Sequence, residues 1–143
     1  MKPYSPKEAN GIWFRVKLLA ITGMFLATYL LYEYLTHNPY QPCAINSFIN
    51  CYPTTIGKLA TIFGIPVALI GLVGYITIFL SAIIKHKKLL LGMTTFGMLF
   101  CLRLTVLELI GEHVICPVCI ACQLIMLILF WYGVKFVFGK KTA

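Results

Sequence analysis

Four apolar runs, Ile12–Leu35, Pro66–Ile84, Leu89–Ile110 and Pro117–Phe138, leave this chain few ways to fold. Each is roughly as long as the ~20 residues needed to cross the hydrocarbon core of a bilayer. Lipid offers the backbone no hydrogen-bond partner, so spanning segments of this kind are read as helices. Only 11% of the 143 residues are charged and 60% are hydrophobic, whereas soluble domains carry about 25% charged residues. The expected fold class is an all-α membrane protein: a four-transmembrane-helix bundle forming one domain over residues 1–143. The first apolar run is too long for a secretory signal and no small-residue cleavage site follows it. No internal repeat or low-complexity segment is visible.

Charge sets the orientation. Lys2, Lys7, Arg15 and Lys17 precede or open the first span, Lys85, Lys87 and Lys88 fill the second connection, and Lys135, Lys140 and Lys141 close the chain. In an even-numbered bundle all of these lie at one end. The positive-inside bias then puts both termini and the second connection in the cytoplasm. Glu33, Glu108 and Glu112 fall at the opposite end. The net charge of +8 is therefore a topology signal, and its scatter over helix flanks argues against nucleic-acid binding.

On this topology the long first loop, residues 36–65, is external. It carries Cys43 and Cys51, and Cys116-Pro117-Val118-Cys119 opens the last span at the same face. Four of six cysteines thus converge on a compartment where disulfides persist. Cys116 stands at a helix N-terminus, whose dipole favours the thiolate, and Pro117 fits the first helical position. The bland readings are a structural disulfide in the loop, a metal half-site in the pair, and packing for Cys101 and Cys122. The seven-residue gap between Cys43 and Cys51 suits zinc ligation poorly, and no metal is expected.

Asn38-Pro39 and Gln41-Pro42 break the chain after the first span. Ile56, Leu59, Ala60 and Phe63 then recur at helical spacing behind the potential caps Thr54 and Thr55. A short amphipathic helix lying at the membrane surface is expected there, with Lys58 toward water. Arg103 inside the third span reads as a snorkelling side chain, and His113 as an interfacial residue beside the cysteine pair.

The order Cys43-x7-Cys51, then Phe63-Gly64-Ile65-Pro66 opening a helix, then Cys116-Pro117-Val118-Cys119 opening the last helix resembles the vitamin K epoxide reductase family, over about residues 12–138. It is most similar to prokaryotic members that oxidise disulfide-catalyst proteins and reduce a quinone. The resemblance implies a four-helix bundle around a quinone of menaquinone, ubiquinone or vitamin K type. It makes Cys43 and Cys51 the pair that exchanges disulfides with a separate thioredoxin-fold (DsbA-like) protein, and Cys116 and Cys119 the pair that passes electrons to the quinone. Around the quinone it implies Leu59, Phe63, Val67, Ile70, Leu104 and Gln123. Gly57 stands where many members have Ser, Gln123 where vertebrate enzymes have Tyr, and Val67 near their quinone-contacting Asn. These departures favour quinone reduction over epoxide reduction in the vertebrate sense. Gln123 retains two amide donors for a quinone carbonyl. The competing classes are a non-enzymatic four-span protein, similar in outline to claudins, whose loop disulfide is structural, and a transporter component. The last-span dithiol argues against the first. The scarcity of charge inside the spans argues against the second.

Overall fold

The computed structural model describes residues 5–36, 45–51, 57 and 59–138. Among the described residues, four helices are long and apolar enough to cross a membrane. The first, α1 (Pro6–Thr36), begins before its apolar run. The reason is local: Ser5 and Glu8 form a reciprocal capping box, Glu8 N–H to Ser5 Oγ at 3.3 Å and Ser5 N–H to Glu8 Oε2 at 3.2 Å, with Pro6 at the first helical position. A two-residue hairpin, β1 (Thr61–Ile62) and β2 (Ile65–Pro66), leads into α2 (Val67–Ile84). Then follow α3 (Lys87–Leu107), a π-helical turn over Glu108–Glu112, and α4 (Pro117–Phe138).

The connection from α2 to α3 is only a turn. Lys85 adopts a left-handed φ of 58°, and its N–H and that of His86 both donate to the Ser81 carbonyl. His86 then caps α3 by accepting the Leu89 N–H on Nδ1 at 3.1 Å. Such closure forces α2 and α3 to be antiparallel neighbours. The helices form a ring in chain order, closed by α4 against α1.

Val16, Ala20, Ile78, Leu90 and Leu129 fill the interior of the ring. Gly23 admits the Tyr75 ring against α1, where any Cβ would overlap it. The Tyr75 hydroxyl donates across the bundle to the Cys122 carbonyl at 3.3 Å. Threonine hydroxyls within the spans are satisfied on their own helices; Thr22, Thr28, Thr77 and Thr105 all donate to the carbonyl four residues back, as a lipid surrounding demands. The outer surface carries Phe14, Phe25, Phe96, Leu99 and Trp131, each more than half exposed. A soluble monomer would not leave so continuous an apolar surface.

One expectation is corrected. Leu59 through Phe63 do not continue a surface helix: Leu59 and Ala60 lie in a turn, and Thr61–Pro66 form the hairpin. The two hairpin-loop residues, Phe63 (φ 53°) and Gly64 (φ 80°), are both left-handed. This is the turn whose twist matches that of paired strands, and it overrides the apolar spacing. Thr54, Thr55, Ile56 and Lys58 lie outside the described residues.

Candidate active site

At the end of the bundle away from the Lys85–His86 turn, the loop that follows α1 meets the start of α4. The Phe48–Asn50 segment runs parallel to Ile115. The Ile115 N–H donates to the Phe48 carbonyl at 2.7 Å, and the Asn50 N–H donates to the Ile115 carbonyl at 3.0 Å. This bridge delivers the next loop residue, Cys51, onto Cys116. Their sulfurs stand 3.0 Å apart, and both residues are fully buried. Cys51 is disulfide-bonded, whereas Cys101, Cys116, Cys119 and Cys122 are thiols. Cys43 lies outside the described residues.

Cys116 caps α4. Its sulfur accepts the Cys119 N–H at 3.4 Å and its carbonyl accepts the Ile120 N–H at 3.1 Å. As an N-cap the sulfur satisfies one of the backbone donors that the first turn of a helix leaves unpaired. Cys119, one turn deeper, lines an apolar cavity of which Cys116 is not part. The two members of the pair thus face different neighbours: Cys116 the loop sulfur, Cys119 the cavity.

Val67, Ile70 and Leu104 line that cavity, as do Cys101, Cys122 and Tyr75. Apolar walls of this kind suit a flat apolar ring, and Cys101, Cys119 and Cys122 bring thiols to them. The other expected contacts lie elsewhere. Leu59 is half-buried in the turn before the hairpin, and Phe63 is fully exposed at its tip. Gln123 does not line the cavity; its amide donates to the Met98 sulfur at 3.1 Å. Arg103 and His113 are exposed. His113 closes the π-helical turn in a left-handed conformation, its N–H donating to the Glu108 carbonyl.

Glu108 is the functional candidate that sequence reading missed. It is only 2% exposed, and a carboxylate oxygen lies with the Cys116 and Cys119 sulfurs in a group whose members are all within 4.8 Å of one another. A sequence signal exists, an acid eight residues before Cys116, but by itself it reads as one of three helix-end charges. Glu33, also buried, approaches from α1 one turn beyond Tyr29.

A buried dithiol between a disulfide-bonded loop cysteine and an apolar cavity, carried by four helices long and apolar enough to span a membrane, defines a membrane thiol oxidoreductase. The sequence pattern of the Vitamin K epoxide reductase family matches residues 15–134, and the chain belongs to that family. No individual curated protein matches it significantly. Members of the family are membrane oxidoreductases working in disulfide and quinone chemistry.

Proposed function

We propose that the protein oxidises a thioredoxin-fold partner through Cys43 and Cys51, relays the electrons to Cys116 and Cys119, and reduces a membrane quinone, so driving disulfide-bond formation. The observation that carries this reading is the 3.0 Å separation of the Cys51 and Cys116 sulfurs, the distance of a near-attack pair. A reduced partner thiolate attacks the loop disulfide at Cys43 and releases Cys51. The second partner thiol then closes the partner's own disulfide and frees Cys43. Cys51 attacks Cys116 in the Cys116–Cys119 disulfide and expels Cys119 as thiolate. Cys43 then attacks Cys51, restoring the loop disulfide and freeing Cys116. Each exchange passes through a mixed disulfide.

The relay leaves Cys51 disulfide-bonded and Cys116 and Cys119 as thiols. The remaining step closes the Cys116–Cys119 disulfide and gives two electrons and two protons to the quinone. Bound in the cavity, the quinone supplies the electron acceptor; Val67, Ile70 and Leu104 are the residues that would hold it. The division of labour has a physical basis: a soluble partner cannot enter the bilayer and a quinone cannot leave it.

The test is alkylation with a large maleimide on intact membranes, with and without added quinone. Quinone should protect Cys116 and Cys119 from labelling. Cys119→Ala should abolish quinone reduction while Cys43 and Cys51 still exchange with the partner. Cys43→Ala should block use of the protein partner while a small dithiol still drives turnover. Labelling indifferent to quinone, or quinone reduction at the normal rate by Cys119→Ala, would sink the proposal.

A further inference from the structure

The relay accounts for the sulfurs and leaves a buried acid unused. Glu108 begins the π-helical turn that ends the third span, and π-turns concentrate at functional sites. The turn separates it from Glu112 and His113, which are exposed. A carboxyl this deeply buried is costly to retain unless it bonds or reacts. The Cys119 sulfur lies within 4.8 Å of one of its carboxylate oxygens. Cys116 and Cys119 of α4 face it within the 4.8 Å group. Tyr29 and Glu33 come from α1, with Tyr29 a neighbour of both Glu33 and Cys116. Cys51 closes the site from the loop, and Arg103, on α3, is exposed.

We propose that Glu108 is the proton carrier of the quinone-reducing step, holding the Cys119 proton at rest and passing it on as the disulfide forms. This rests on the quinone-reductase reading above. The Cys119 S–H proton moves to the Glu108 carboxylate as the sulfur gives up electrons, and from there to a quinone oxygen. The Cys116 proton follows by the same carboxylate. Two S–H bonds break, one S–S bond and two O–H bonds form, two electrons reach the quinone, and the carboxylate ends as it began. The placement suits a proton carrier, because Glu108 stands beside Cys119, whose thiol lines the cavity, while its turn continues into exposed residues.

Glu108→Gln keeps the shape and removes the exchangeable proton. Quinone reduction should slow about 100-fold, the low end of what general acid–base catalysis supplies, and Glu108→Asp should restore part of it. A second readout needs no quinone. The infrared S–H stretching band that Cys119→Ala removes should move to higher frequency in Glu108→Gln, because an amide oxygen is a weaker acceptor than a carboxylate. Normal turnover in Glu108→Gln overturns the proposal. So does slow turnover with an unmoved S–H band, the mark of a merely structural role. If the wild-type protein fails to reduce quinone, the functional reading falls instead, and the band still decides whether Glu108 holds the Cys119 proton.

Discussion

At the scale of single residues, the site depends on positions with no chemistry of their own. Gly23 is one. The Tyr75 ring occupies the space a side chain there would need. Tyr75 cannot simply swing away, since it is 2% exposed and bonded through its hydroxyl to α4. Gly23→Ala must therefore push α1 outward or evict the ring. Overpacking of this kind costs about 1–3 kcal/mol, to be read as a lower midpoint of thermal unfolding in detergent. Because Tyr75 also lines the cavity, the variant should raise KM for quinone more than it lowers kcat. An unchanged KM would detach Tyr75 from quinone binding. None of this is legible in the sequence: Gly23 reads as a small residue in an apolar run, and Tyr75 as an aromatic without a partner. Glu108 escapes notice for a related reason. Its burial follows from the π-turn, which no local pattern announces.

At the scale of elements, legibility tracks whether a constraint is local or long-range. The spans can be read because the bilayer imposes a length and a composition on each one separately. The earlier start of α1 is also written locally, in Ser5-Pro6-Lys7-Glu8. The hairpin is half legible: Gly64 invites a left-handed turn, but the spacing of Leu59, Ala60 and Phe63 suggests a helix, and strand pairing wins. The bridge between Phe48–Asn50 and Ile115 cannot be read, because it joins segments far apart in the chain through backbone groups alone. Yet it is what sets Cys51 upon Cys116. Ile115→Pro removes the donor to the Phe48 carbonyl. A hydrogen bond is worth about 0.5–1.5 kcal/mol net, and about 1.4 kcal/mol is tenfold in an equilibrium. In a Cys43→Ala/Cys119→Ala background, where Cys51 and Cys116 have no competing partner in either pair, Ile115→Pro should lower the equilibrium yield of the 51–116 crosslink by up to about tenfold. Equal yields with Ile and Pro would mean that the loop finds its register by other contacts.

At the scale of the whole molecule, the two ends of the bundle are chemically unlike. Lys85 Nζ donates to Asn10 Oδ1 at 3.1 Å, and Lys87 lies 5.6 Å from the centre of the Phe136 ring, which stacks on Trp13. These contacts gather the start of α1, the α2–α3 turn and the end of α4 at one end, together with Lys7, Lys17, Lys88 and Lys135. The redox end carries Glu33, Glu108 and Glu112 instead. Each Lys or Arg near an anionic cytoplasmic leaflet is favourable by about 1 kcal/mol, and moving several across during insertion is opposed. The basic end should therefore face the cytoplasm and the cysteine pairs the outside. Chemistry demands the same orientation, since a loop disulfide facing the cytosol would be kept reduced. An impermeant maleimide applied to intact cells should modify Glu112→Cys at once, and Lys88→Cys only after permeabilisation, each located by peptide mass. The reverse pattern would place Cys51 in a reducing compartment. The direction of electron flow proposed for the relay would then have to be inverted.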